Sequence, residues 1–199
     1  MDIDFLNEII EQTQVSISDY QYFNQLLRHR TIVFNSDIDE KIVEAVYLPL
    51  RDFEKDSSTE PVTLILNSSG GSVSDGLILC NIIDTYKKPL EIIVPAYACS
   101  MATIILSAGK NNPNITKKCY PFSFALLHCG QTELSGETRS VEDTLQFTRS
   151  IDKNVREYII KNTNITPELY DQHDRGQWYL TAKDLLEYGF VDEIIGSEN

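Results

Sequence analysis

Apolar residues recur along this chain in two alternating patterns. Short runs of β-branched and aromatic residues read as strands at Thr31–Phe34, Val62–Leu66 and Leu90–Val94. The second and third are nearly continuous apolar runs, as expected of strands covered on both faces. Elsewhere the apolar positions fall three and four residues apart, which predicts helices. One opens at Asp37 or Asp39 and turns Ile42, Val43, Val46 and Leu50 inward, with Pro49 expected to bend or interrupt it. Another carries Val73, Leu77, Ile78 and Ile82, and a third runs Met101–Ala108, ended by Gly109. Residues 54–60 and 110–116 read as loops. Two short strands follow, around Lys118–Tyr120 and Phe124–Leu127, and the second delivers His128. A long helix over about 138–162 repeats Val141, Leu145, Ile151, Val155 and Ile159. Pro167 starts a short helix. Trp178–Leu180, a helix from Ala182 and the stretch Gly189–Ile195 close the chain.

Strand alternating with helix implies an α/β domain with right-handed crossovers. The first residues stand apart. Ile3, Leu6, Ile9 and Ile10 share roughly one helical face, so residues 1–18 form either a short amphipathic helix or a flexible arm. Asp19 could cap a further helix carrying Tyr22, Phe23, Leu26 and Leu27. With no internal repeat or linker, 19–199 reads as one domain, and 199 residues suffice for a sizeable core.

Composition narrows the function classes. A net charge of −13 provides no basic face for phosphates, so nucleic acid is excluded as a partner, and so is docking on an anionic membrane. Cys80, Cys99, Cys119 and Cys129 form no C-x-x-C pair, so neither a zinc site nor a redox motif is indicated. The acidic start Met1-Asp2-Ile3-Asp4 lacks the pattern of a signal peptide, and no apolar run is long enough to span a bilayer. The expectation is a cytoplasmic protein with reduced thiols, no cofactor and no metal.

Three features could together carry acyl-transfer chemistry, which needs a nucleophile, a base and donors for an oxyanion. Ser100 ends a strand where a helix begins, between the small residues Ala98 and Ala102. Alone it reads first as a helix-capping serine, since capping serines far outnumber nucleophiles. Gly70-Gly71 ends another strand, and paired glycines allow positive φ and close approach of a substrate backbone, or simply a tight turn. His128 sits at a strand end, where it could act as a base or serve packing. The G-x-S-x-G elbow is absent.

The combination is more specific than its parts. Asn67-Ser68-Ser69-Gly70-Gly71-Ser72-Val73, Ala98-Cys99-Ser100-Met101-Ala102, Leu126-Leu127-His128 and Leu180-Thr181-Ala182 with Glu187-Tyr188-Gly189-Phe190-Val191-Asp192 occur in this order. Over about residues 20–196 the chain resembles the Clp protease proteolytic subunit (ClpP) family. The resemblance implies a ClpP/crotonase-type superhelix of ββα units, with a handle at about 129–162 that joins two rings and lines the substrate groove. It implies a serine peptidase that cleaves unfolded polypeptides inside a closed double heptameric ring of identical subunits, fed by an AAA+ unfoldase. Carried over by position, Ser100 is the nucleophile, His128 the general base, and the N–H groups of Gly71 and Met101 the oxyanion hole.

This sequence departs from the family pattern at several points. Ser69 replaces a proline, Cys99 an alanine and Cys129-Gly130 a Gln-Pro pair. Two tyrosines expected in the strand before the glycines are Thr63 and Ile65, and the family's axial loop has no match in residues 1–18. The triad aspartate falls by ungapped counting on Gln177, with Asp174 the nearest substitute. A glutamine oxygen can accept the imidazole N–H but carries no charge. The alternative to a peptidase is therefore a ring-building subunit with little activity of its own. A crotonase-like acyl-CoA enzyme is a third option, and the Ser/His pair argues against it.

Overall fold

Among the described residues the strands are β1 (Thr31–Phe34), β2 (Val62–Leu66), β3 (Leu90–Val94), β4 (Tyr97–Cys99), β5 (Ile115–Cys119), β6 (Phe124–His128), β7 (Gln177–Thr181) and β8 (Glu193–Ile194). They belong to a computed structural model that describes residues 25–130, 135–173 and 176–197. The segment 1–18 and the start of the second N-terminal helix lie outside the described residues. The expected strands at Thr31, Val62 and Leu90 have the bounds read from sequence. A parallel sheet orders them β1-β2-β3-β5-β8, and a second sheet orders β4-β6-β7. In that smaller sheet β4 runs parallel to β6, and β7 runs antiparallel to it.

The core lies on one face of the larger sheet. Val62, Leu64 and Leu66 of β2 and Leu90, Ile92 and Val94 of β3 are buried. The residues between them are only half-buried, which corrects the expectation that both faces are covered. The helices after β1 among the described residues are α1 (Leu48–Lys55), α2 (Val73–Thr85), α3 (Met101–Ser107), α4 (Thr138–Asn162), α5 (Pro167–His173) and α6 (Ala182–Glu187). The helical path changes character at Pro49: a wider π-helical turn, Val43–Tyr47, precedes it, and α1 begins at Leu48 with the proline in its first turn. Helix α4 has 25 residues and buries only Ile159 and Asn162, leaving Leu145 and Phe147 exposed. The strand end expected at Ser100 is β4, whose bounds the sequence does not give: it is three residues long and its single buried residue is Ala98, a weak strand former.

Helix α3 is buried along all seven residues, so its last carbonyls have no water to bond. Lys117 of β5, itself 2% exposed, reaches them. Its Nζ donates to the carbonyls of Leu106 at 3.0 Å and Ala108 at 3.1 Å. A cation at a helix C-terminus is also favoured by the helix dipole. Asp192 holds the Lys117 backbone from both sides, accepting its N–H at Oδ2 and donating its own N–H to the Lys117 carbonyl.

Burial lowers the Lys117 pKa to about 8, against an opposing pull from Asp192. Between about pH 8 and the ordinary lysine value the unfolded chain therefore binds more protons than the folded one. The lysine's contribution to stability must rise with pH across that window. The stability difference between wild type and Lys117→Met is expected to shift toward wild type by about 3 kcal/mol from pH 7.5 to 10.5. Urea titrations at both pH values measure it, and a pH-independent difference would refute the buried charge.

Candidate active site

The site forms where β4, β6 and the loop after β2 meet the start of α3. The loop is laced to its neighbours by its own polar side chains. The Ser69 hydroxyl donates to Asp37, and Asn67 Nδ2 donates to Asn35 at 2.7 Å. Ser68 pairs with Ala98 of β4, so the chain beyond β2 runs alongside the strand that leads to Ser100. The Ser68 hydroxyl takes the Gly70 N–H at 3.1 Å. Gly71 pairs with Ile38, which donates to the Gly70 carbonyl and accepts from the Ser72 N–H. That pairing turns the Gly71 N–H to the side away from Ile38.

Both glycines are required by space as well as by angle. Gly70 has φ +105°, and a Cβ on it would lie 2.6 Å from the Ser100 Cβ and 2.7 Å from the Cys99 carbonyl oxygen. Gly71 has φ +142°, and a Cβ there would meet the Ile38 oxygen at 2.2 Å. The glycine turn is thus in backbone contact with the turn that carries Ser100.

Ser100 has φ 53° and ψ −123°, a conformation that residues other than glycine rarely adopt. Holding it costs about 1–3 kcal/mol, so surrounding bonds must fix it. Its N–H donates to the Leu126 carbonyl of β6 at 2.7 Å. Although Ser100 occupies the N-cap position of α3, its side chain makes no capping hydrogen bond. A capping serine spends its hydroxyl on an amide of the first turn; this one does not. Met101 N–H, the first of the helix, belongs to the set that has no intrahelical partner.

Ser100, Met101 and His128 line one cleft of about 330 Å³. Val73, Ile104, Leu127, Val155 and Ile159 make its apolar lining, and Asp152, Lys153 and Arg156 of α4 bring charge to it. Among the described residues no hydrogen bond joins Ser100 to His128. Cys99 is next in sequence to Ser100. Burial pushes its thiol up, away from the thiolate, against a smaller opposing effect of the Leu126 backbone.

The antiparallel register of β6 and β7 sets Gln177 directly opposite His128. Side chains so paired share one face, with Cβ atoms about 5 Å apart. The Gln177 Oε1 accepts from the Tyr179 hydroxyl at 3.1 Å. Asp174, the alternative third member, lies outside the described residues. Asp171 is committed elsewhere: both its oxygens accept from Arg156 at 2.7 Å, and the guanidinium holds its pKa down. A second, smaller cavity is lined by Leu127, His128, Tyr170, His173 and Trp178, with His173 stacked on Trp178 at 4.3 Å. His173 and Tyr170 were not singled out by sequence, because their nearness to His128 depends on where α5 packs. Among the described residues no group of three or more His, Cys, Asp and Glu could hold a metal ion, and no helix is long and apolar enough to cross a membrane.

The Clp protease family model matches residues 13–198. The ATP-dependent Clp protease proteolytic subunit of Streptococcus mutans serotype c is 28% identical over 193 residues, covering 94% of this chain and 95% of the relative. That of Lactococcus lactis subsp. lactis is 28% identical over 193 residues, covering 94% of each. The Streptococcus gordonii protein of the same name is 26% identical over 193 residues, covering 96% and 97%.

Proposed function

Because this chain belongs to the Clp protease family, we propose that it is a serine endopeptidase subunit in which Ser100 attacks the scissile carbonyl. The observation that carries the reading is Ser100 itself: strained, at the head of a buried helix, with its hydroxyl withheld from capping and turned to use in a cleft with His128. His128 takes the Ser100 proton as Oγ attacks, then returns it to the leaving amine. The N–H groups of Gly71 and Met101 hold the oxyanion; the first faces away from Ile38 and the second is a free helix-end donor. Water then hydrolyses the acyl-enzyme. The cleft between α3 and α4, apolar with a charged side, suits an extended polypeptide.

The wider reading follows from the relatives. They are named proteolytic subunits of an ATP-dependent protease, so this chain works with an ATPase that unfolds its substrates, in the cytoplasm. Identical subunits stack as a double heptameric ring, in which α4 is the element joining the two rings. No cofactor or metal enters the reaction.

A weakly active or inactive ring subunit is the second reading, favoured by one observation. Gln177 faces His128 without a charge, and its oxygen is already engaged by Tyr179. A fluorophosphonate probe separates the two. Wild-type assembled protein should be labelled at Ser100, as mapped by mass spectrometry, and Ser100→Ala should not. Absence of label in correctly assembled wild type would sink the peptidase reading and leave the structural one.

A further inference from the structure

We propose that Thr103 is a positioning residue that sets the spacing between the nucleophile and the base, which rests on the reading of Ser100 and His128 given above. Thr103 is fully buried in α3, within an otherwise apolar helix face. Its Oγ1 lies 2.7 Å from the carbonyl oxygen of Ala98 and 2.9 Å from that of Leu126. These two acceptors are placed symmetrically in the chain. Ala98 precedes Ser100 by two residues on β4, and Leu126 precedes His128 by two residues on β6. One hydroxyl proton is therefore shared across the junction of the two strands that carry the reacting groups.

The Leu126 carbonyl also accepts the Ser100 N–H at 2.7 Å, and the Thr103 N–H donates to the Ser100 carbonyl at 2.9 Å. Thr103 thus touches the Ser100 turn from two directions and fastens it to the His128 strand. Ser100 does not hold its positive φ unaided, so this fork is what resists its relaxation toward an ordinary helix start. The hydroxyl does not reach the substrate cleft, and the role is one of placement rather than chemistry. Small displacements of a nucleophile cost rate steeply while leaving substrate contacts intact, so the effect belongs in kcat rather than KM.

The test uses two pairs of variants that differ chiefly in the hydroxyl: wild type with Thr103→Val, and Thr103→Ser with Thr103→Ala. Steady-state peptidase kinetics, fluorophosphonate labelling rates and thermal melting are measured on assembled protein. The Val and Ala variants are expected to lose about tenfold in kcat and in labelling rate, with KM changed by less than about twofold. The Ser variant is expected to stay within about threefold of wild type. Should Thr103→Val fail to fold, the Ser and Ala pair carries the comparison alone. A Ser variant as slow as the Ala variant, or Val and Ala variants as fast as wild type, would overturn the positioning role. Unlabelled wild type would instead bring down the nucleophile assignment beneath it, so the two failures are distinct.

Discussion

Gln177→Asp is expected to raise kcat on a short chromogenic peptide by about two to three orders of magnitude, with little change in KM. The register places residue 177 directly opposite His128, about 5 Å away at Cβ. A carboxylate there accepts the imidazole N–H, fixes the tautomer that can take the Ser100 proton, and stabilises the imidazolium formed in the transition state. Glutamine supplies at most the first of these. In a serine protease the comparable loss of charge costs about 10⁴ in kcat. The gain here is set lower because the Tyr179 hydroxyl, now donating to the Gln177 oxygen, keeps its hold on one carboxylate oxygen. Gln177→Asn, uncharged and shorter, should show no such gain. A flat response to aspartate in fully assembled protein would mean that another group already orients His128.

Much of the scaffold was open to reading because it follows from period and composition. Runs such as Val62–Leu66 have no other stable place than a buried strand, and their bounds emerged as read. The features that escaped are those set by partners distant in sequence. Strand β4 is held by its neighbours and not by its own residue types. Lys117 falls between the expected loop and the expected short strand, yet its ammonium sits under the end of α3 because Leu106 and Ala108 leave carbonyls there. Thr103 looks like one more residue of an apolar helix, and its acceptors lie 5 and 23 positions away. Ser100 was ambiguous for a different reason. A cap and a nucleophile occupy the same place at a helix start, and the absence of a capping hydrogen bond from the Ser100 side chain is not written in the sequence. The resemblance carried by the order of the four motifs is what proposes the chemistry that local spacing could not.

Gly70→Ala is expected to abolish turnover, by about 10³-fold or more, while leaving a folded protein. The added Cβ must go where the Ser100 Cβ and the Cys99 carbonyl already are, at 2.6 and 2.7 Å, and 3.1 Å from the Met101 nitrogen. None of these atoms is the far end of a flexible side chain, so the contact is relieved only by moving backbone. Two backbones can move, and each carries part of the site. Shifting the Ser100 turn misplaces the nucleophile, for which about 10²-fold is a common cost of a 1 Å error. Shifting the glycine turn swings the Gly71 N–H, and loss of one oxyanion donor costs about 10²–10³-fold. The positive φ adds strain of about 1–3 kcal/mol, which should appear as a modest fall in melting temperature. Probe labelling and turnover should fall together, because both require Ser100 in place and a donor for the developing charge. Gly176 provides the comparison, since a Cβ there meets nothing within 4 Å and Gly176→Ala should leave kcat near wild type. If Gly70→Ala retains wild-type turnover with normal assembly, the turns at residues 70 and 100 are not the reacting centre, and the cleft beside them serves another purpose.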